Sequence, residues 1–352
     1  MYFKFPVIWL AAVKIDIFNH FYPKPFYDKY VNLGASFKDM GKRVQAIGHI
    51  FDIEQRLRAM EPWPDLRQVL TLPQPPVESL AAPDKTPEMA RMANDGFAEL
   101  VQKYPDRFIG FGACVPTNNP DAALKEMDRA IGTLGAKGIQ LYTNINGKAL
   151  DAPEFQPVFG EMARRNLPIW LHPTRGADFS DYATEDKSQY EIWWTFGWPY
   201  ETSAAMARLV FSGLFDRHPR IKIITHHGGA MIPFFEGRVG YGWDQLGKRT
   251  SDVDYGALLR SMKKRPIDYF RNFLADTAMF GALAGTRCSL DFFGVDRVLF
   301  ASDMPFEPTP GLYVRETIRV IEALGLTADQ KDQIYRKNAE RLLGVKDLRL
   351  KT

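Results

Sequence analysis

Cysteine is almost absent from this chain of 352 residues: the two that occur, Cys114 and Cys288, lie far apart, in segments predicted as strand and helix. Small secreted domains that depend on disulfides carry many cysteines, so this scarcity excludes a disulfide framework and predicts two buried thiols in a reducing, cytoplasmic setting. The chain also lacks a large excess of positive or negative charge. A net charge of +3 without a cluster of Lys and Arg excludes the basic surface that nucleic-acid-binding proteins present.

Apolar runs are short. The apolar stretch near the N-terminus, residues 5–12, is too brief to span a bilayer, so no membrane segment is predicted there. It leads directly into a strand that ends at His20, which leaves no room for the cleavage site of a signal peptide. We therefore expect residues 1–12 to form an N-terminal extension that packs on the rest of the fold or on a second subunit.

Histidine is scarce too, but its placement is informative. Of six histidines, four follow short apolar runs that are typical of buried strands: His20, His172, His226 and His227. Asp303 ends a further run of this kind. A catalytic zinc or manganese ion needs nitrogen and oxygen ligands and a position left for water or substrate. We predict that His20, His172 and Asp303 hold the ion.

The other strand-end histidines have a different predicted role. A single strand-end histidine would be explained by packing, whereas four of them together with a carboxylate favour a catalytic centre. His226, or else His227, would then act as a proton donor or base. His49 and His218 are expected to serve stability, because His218 precedes a predicted strand at the opposite end of the fold.

Two further side chains are candidates for substrate contacts. Arg238 could hold a carboxylate through a bidentate fork, although a surface arginine on a helix explains it equally well. Trp194 could stack on an unsaturated substrate, and packing within a loop is an equally good explanation. The fourth predicted strand ends at Gln140 and Tyr142 without a lysine that could be carbamylated to bridge two ions, which favours one metal ion.

Strands and helices alternate along the chain. Eight strands are predicted, at residues 13–20, 66–72, 107–115, 136–142, 167–172, 221–226, 272–278 and 297–303. The order favours a single α/β domain over residues 1–352, a (β/α)8 TIM barrel, because closure brings the first strand beside the eighth. A doubly wound sheet, the alternative, would not bring these two strands together. The barrel places the candidate residues at its carboxyl-terminal face, where loop insertions at 21–63 and 174–200 are expected to cover the substrate.

The same motifs resemble those of the amidohydrolase superfamily, over nearly the whole chain from residue 13 to residue 344. The resemblance is closest to the amidohydrolase-related branch (amidohydrolase 2), which contains aminocarboxymuconate-semialdehyde decarboxylase and the γ-resorcylate-type decarboxylases. It rests on the segments Leu171-His-Pro173, His226-His-Gly-Gly-Ala230, Gly237-Arg238, Ser302-Asp-Met-Pro-Phe306 and Asn338-Ala-Glu-Arg-Leu342, and on the tryptophan-containing segment 190–202.

This resemblance implies a metal-dependent decarboxylase that acts on an aromatic or unsaturated carboxylic acid. It implies one divalent ion, with zinc expected first and manganese or magnesium as alternatives, no organic cofactor, and a homodimer. His226 and Asp303 would carry the catalysis, Arg238 would hold the substrate carboxylate, and Trp194 would pack on its π face. A hydrolase of a lactone, amide or ester, or a hydratase, would use the same residues.

One position departs from the family pattern. The first strand of the family normally carries His-x-His or Glu-x-His as its first two metal ligands, and this chain has Phe18-Asn19-His20 there. Phenylalanine cannot bind a metal, and Asn19 is expected to point to the opposite face of the strand. We therefore expect a weaker metal site or a different metal. A non-catalytic binding protein on a barrel that has lost a ligand is the second alternative.

Overall fold

The computed structural model describes residues 13–33 and 39–345, and its centre is an eight-stranded parallel sheet. The strands are β1 Lys14–His20, β2 Leu66–Thr71, β3 Phe108–Cys114, β4 Gly138–Tyr142, β5 Pro168–His172, β6 Lys222–Thr225, β7 Leu274–Asp276 and β8 Val298–Leu299. Each pairs in parallel with the next in this order. A small antiparallel hairpin, Asn144–Ile145 with Lys148–Ala149, follows β4.

The barrel closes through backbone hydrogen bonds between β1 and the residues that directly follow β8. Ile17 N donates to Phe300 O at 2.9 Å, and Asp303 N donates to Phe18 O at 3.1 Å. The first and eighth strands therefore lie side by side, as the barrel interpretation required. The (β/α)8 prediction is confirmed and the doubly wound alternative is wrong.

Helices surround the sheet, and several begin with a side-chain cap, at Asp52, Asn119, Asp254 and Thr327. The α-helices are Lys24–Val31, Met40–Gln45, Ile53–Met60, Val77–Leu80, Thr86–Lys103, Pro120–Gly132, Gln156–Arg165, Ile192–Thr195, Gly197–Phe211, Leu214–Arg217, Tyr255–Ser261, Pro266–Phe270, Leu283–Phe293, Leu312–Ala323, Ala328–Asp332 and Asn338–Leu343. Thr327 and Gln330 form a capping box before the helix at Ala328. Single turns of π-helix occur at Arg238–Gly242 and Gln333–Lys337.

The interior of the barrel is filled by apolar side chains, so it is a packed core rather than a channel. A cluster inside the strands is separate from the larger core between strands and helices, and its members include Ile15, Ile17, Phe18, Val69, Trp170, Ile224 and Leu299. The Trp170 indole also donates to Ile17 O at 2.7 Å, which satisfies its one polar group.

The two predicted loop insertions differ in content. Residues 21–63 contain the helices at Lys24–Val31, Met40–Gln45 and Ile53–Met60, whereas 174–191 form an irregular segment before the helices at Ile192 and Gly197. The predicted extension at 1–12 lies outside the described residues. None of the described helices has the length and apolarity needed to cross a bilayer.

Both cysteines carry free thiols, as expected, but only one is fully buried. Cys114 lies in β3 and is buried, whereas Cys288 on the Leu283–Phe293 helix is half-buried. The prediction of two buried thiols is therefore wrong for Cys288, because its helix turns only one face to the core.

Candidate active site

Four of the candidate side chains converge at the carboxyl-terminal face of the barrel. β1 supplies His20, β5 supplies His172, and His226 and Asp303 follow β6 and β8. The candidate ligand atoms of the three histidines all lie within 4.8 Å of one another. Asp303 Oδ1 lies 3.1 Å from both His20 Nε2 and His226 Nε2. The described side chains that could hold a metal ion form two groups, His20 with His172 and His226, and His226 with His227 and Asp303, so the predicted ligands are divided between two groups that share His226.

Hydrogen bonds at Nδ1 orient each of the three imidazoles. The partners are Thr71 Oγ1 for His20 (3.1 Å), the Pro173 carbonyl for His172 (2.6 Å) and Asp276 Oδ2 for His226 (2.5 Å). The Thr71 hydroxyl donates its own proton to the Asn19 carbonyl at 2.6 Å, so its oxygen accepts from the His20 ring. With Nδ1 bonded in this way, Nε2 faces the centre of the cluster, which is the arrangement of metal-binding histidines.

The pKa values of the three buried imidazoles shift in different directions. Burial lowers the pKa of His20 and, more strongly, that of His172, so both rings are neutral and present a lone pair. Burial also lowers the pKa of His226, but the Asp276 carboxylate and then Asp303 outweigh burial and raise it to about 9. Neutral imidazoles suit a metal ion, whereas the His226 imidazolium suits proton transfer.

Asp303 completes the donor set as a carboxylate. Burial alone would raise its pKa, but the contacts with His20 and His226 hold that pKa below its usual value. Two neutral nitrogens and one ionised oxygen are a set that binds a divalent ion such as zinc or manganese. The residues present therefore fit one divalent metal ion.

Phe18 occupies the position where the family pattern places another ligand. Its ring is fully buried, 3.8 Å from the His226 ring and 5.5 Å from the His20 ring between centroids. It also stacks on His172 at 5.8 Å with planes 18° apart. The ring therefore forms an apolar wall beside the donor atoms. Asn19 points away and binds the carbonyls of Asp16 and Val69, as alternation along a strand predicts.

His227 is a fourth imidazole that reaches the site. It lies in a tight turn with φ values of +56° at His227 and +65° at Gly228, where glycine adopts a positive φ at little cost. Its ring stacks on His226 at 3.8 Å, and Ala278 O lies 2.8 Å from Nδ1. Burial, followed by the charge on His226, lowers its pKa to about 4. Unlike His226, His227 lines the cavity described next.

A cavity of about 670 Å³ opens beside the cluster, within the range of small-molecule sites. Its walls include His172 and Asp303 on the cluster side and many aromatic side chains: Trp193, Trp194, Trp198, Phe280, Phe306 and Tyr313. The predicted contact residue Trp194 is therefore in the wall, with its indole donating to Glu191 Oε2 at 3.0 Å. An aromatic ring would be held between these side chains.

The predicted carboxylate-binding arginine is not in this wall. Arg238 is exposed, lies over the Phe235 ring at 5.7 Å, and is absent from the cavity lining. Lys42 and Arg43 line the cavity instead, and Arg43 donates to Phe306 O at 2.8 Å. Sequence reasoning missed both residues. The available signal was their place in the 21–63 insertion, which was expected to cover the substrate.

The other two histidines lie outside the cluster. His49 is buried with its Nε2 3.5 Å from Glu307 Oε1, and the ring of His218 packs beside Gly160. Neither belongs to the groups of the described residues that could hold a metal ion.

Comparisons with known proteins agree with this geometry. A family model described as Amidohydrolase matches residues 15–345. The γ-resorcylate decarboxylase of Rhizobium sp. (strain MTP-10005) is 32% identical over 307 residues, which cover 83% of this chain and 88% of that protein. The 2-amino-3-carboxymuconate-6-semialdehyde decarboxylase of Dictyostelium discoideum is 28% identical over 349 residues, which cover 95% of this chain and 92% of that protein.

A solved structure shows the same fold with a metal ion. It is the dihydroxybenzoic acid decarboxylase from Polaromonas sp. JS666 with bound manganese and the inhibitor 2-nitroresorcinol. It is 26% identical, with a TM-score of 0.77, and the match covers 95% of this chain and 98% of that one. The chain thus belongs to the amidohydrolase family, in the branch whose known members include these decarboxylases.

Proposed function

We propose that this protein is a metal-dependent carboxy-lyase that removes CO₂ from an aromatic or unsaturated carboxylic acid. The observation that carries the proposal is the cluster of His20, His172, His226 and Asp303 beside an aromatic-walled cavity. The decarboxylase activity of the relatives supports the reaction type. Manganese in the Polaromonas structure supports a divalent ion, and zinc is the other candidate.

Substrate binding is proposed to use the walls of the cavity. Trp194 and its aromatic neighbours would hold the π face of the substrate, and Arg43 would hold a carboxylate through its guanidinium. We thus propose Arg43 for the clamp predicted for Arg238, because Arg43 lines the cavity and Arg238 does not. A bound divalent ion would stabilise the negative charge that a substrate oxygen gains as the reaction proceeds.

Proton transfer is proposed for the stacked histidine pair. A proton must add to the carbon that carries the carboxylate, and the electrons of the broken carbon–carbon bond then stay with the substrate while CO₂ leaves. His226 carries a proton between Asp276 and Asp303 at neutral pH, and His227 is the imidazole in the cavity wall. We expect His226 to act at the metal side of the site and His227 at the substrate side.

The first test combines metal analysis with product detection. Protein purified without chelators should contain about one equivalent of zinc or manganese per chain, and Asp303→Ala should lose it. The wild-type protein should release CO₂ from hydroxylated benzoates, starting with γ-resorcylate. Hydrolysis of lactones or esters without CO₂ release would favour the hydrolase alternative. A ligand bound equally well without metal and recovered unchanged would favour the binding-protein alternative.

Two further variants separate ligands from proton donors in the same assay. His226→Asn and His227→Asn should keep metal content near that of the wild type and lower turnover by about 10²–10⁴-fold, the usual contribution of a positioned acid or base. Loss of metal in His226→Asn would show that His226 is a ligand. Unchanged turnover in either variant would remove that histidine from the proton pathway.

A further inference from the structure

Asp303 holds its place in the donor set with an unfavourable backbone conformation. Its φ is +61°, in the left-handed region that side chains other than glycine rarely adopt. Such a conformation persists only where the surrounding contacts determine it. At this angle Oδ1 lies 3.1 Å from Nε2 of both His20 and His226. The contacts that fix residues 302 and 304 therefore determine where the carboxylate lies.

Those contacts lead to one buried carboxylate on β1, Asp16. Its Oδ1 accepts from Ser302 N at 3.0 Å, and its Oδ2 accepts from Ser302 Oγ at 2.6 Å. The Ser302 hydroxyl oxygen in turn accepts from Met304 N at 3.1 Å, and Met304 O accepts from His20 N at 2.8 Å. Asp16 and Ser302 thus tie down the residue before Asp303 and the residue after it.

A buried polar network fixes Asp16 itself. Gln68 on β2 donates to Asp16 Oδ2 at 2.9 Å, and Arg56 donates to Gln68 Oε1 at 3.1 Å and to Asn19 Oδ1 at 2.8 Å. The side chains of all these residues are inaccessible to solvent. Asp16 lies outside the cavity lining, so it has no direct contact with a substrate. Burying this many polar groups is costly unless they are bonded to one another.

We propose that Asp16 is a positioning residue that acts through the Ser302 hydroxyl to hold Asp303 in its metal-binding conformation. The proposal rests on the metal centre proposed above and adds a residue to it. Without the hydroxyl, Met304 N loses its partner, and Asp16 Oδ2 keeps only its bond from Gln68. The backbone at residue 303 then relaxes toward a negative φ, and the Asp303 carboxylate moves away from the imidazoles of His20 and His226.

The test measures the metal site rather than turnover alone. Ser302→Ala, which keeps the bond from its backbone N–H to Asp16, should raise the dissociation constant for Mn²⁺ by about 10–100-fold, as the loss of outer partners of metal ligands usually does. The visible spectrum of the Co²⁺-loaded variant should differ from that of the wild type. Asp16→Asn should act in the same direction, and the double variant should be no weaker than the more damaging single variant.

The hydroxyl of Thr317 provides a matched control. Thr317→Val removes a buried hydroxyl that has no hydrogen-bond partner among the described residues, and it should leave affinity and spectrum unchanged. Wild-type affinity and spectrum in Ser302→Ala would overturn the proposal, and so would additive effects of the two substitutions. If Asp16→Asn does not fold, Ser302→Ala decides alone. A wild-type protein that binds no metal would refute the metal centre itself, a separate result.

Discussion

The phenyl ring of Phe18 lies where the family pattern places a metal ligand, and its surroundings show what replaced that ligand. The ring contacts three imidazoles and belongs to the apolar cluster inside the barrel with Trp170. A polar group there would need a partner or a metal, whereas the phenyl ring needs neither. The chain therefore exchanges one ligand for packing, while His20, His172 and Asp303 remain together.

Phe18→His should increase metal affinity. Imidazole is smaller than phenyl, so it fits the space, and residue 18 already lies beside the donor atoms. We expect the dissociation constant for Zn²⁺ to fall about tenfold or more, equivalent to at least about 1.4 kcal/mol, measured by competition with a chromophoric chelator. Phe18→Leu is the control, since it adds no ligand. Equal affinities of the His and Leu variants would mean that residue 18 does not face the metal.

Sequence alone predicted which residues approach the centre but not their charge states. Strand-end positions placed His20, His172, His226 and Asp303 correctly, because parallel strands in a barrel end at one face. The pairing of His226 with Asp276 could not be predicted, since it depends on the ends of β6 and β7 meeting in space. Arg238 and Arg43 show the same limit, because the direction of a loop decides which arginine reaches the cavity.

At the scale of elements, all eight predicted strands are present, but the last two are shorter than predicted, since they span Leu274–Asp276 and Val298–Leu299. Barrel strands are buried on both faces, so they appear as continuous apolar runs. The helix after β5 begins at Gly197, inside the predicted insertion at 174–200, and Pro199 lies in its first turn. A proline in the first turn is tolerated, because the first amide groups of a helix have no partner within it.

The short helix Met40–Gln45 brings Arg43 to the cavity, and substitution there tests the proposed clamp. Arg43→Gln should raise KM for a carboxylate substrate by about 10–100-fold, because a charged hydrogen bond contributes about 1.5–3 kcal/mol. Metal content should stay unchanged, since Arg43 contacts no metal ligand. Steady-state kinetics with the substrate identified by CO₂ release would measure the effect.

Arg58→Gln is the matched control for this prediction. Arg58 lies on the Ile53–Met60 helix of the same insertion, is exposed, and pairs only loosely with Glu54 at 3.8 Å. Its removal should leave KM unchanged. If Arg43→Gln and Arg58→Gln behave alike, the carboxylate is held elsewhere, and Arg238 supplied by a second subunit becomes the better candidate.

At the scale of the whole molecule, large apolar side chains are exposed unevenly. The most exposed are Tyr182, Tyr190, Phe196, Tyr200, Phe234 and Tyr241, and all belong to segments that follow β5 and β6. Phe234 is 78% exposed and Tyr190 is 93% exposed, values unusual for side chains of this size. Aromatic residues are enriched at interfaces between subunits. These segments therefore suit an interface better than open solvent.

We predict that the protein is a homodimer that uses these segments. Analytical ultracentrifugation at micromolar concentration should give the mass of two chains, and Phe234→Asp should shift the equilibrium toward monomer, because a buried unpaired charge opposes association. Lys125→Asp, at an exposed position of the Pro120–Gly132 helix, is the control and should leave the dimer intact. A monomeric wild type would contradict the prediction. A dimer unaffected by Phe234→Asp would place the interface on another surface, and Arg238 would then have no route to the cavity of a neighbour.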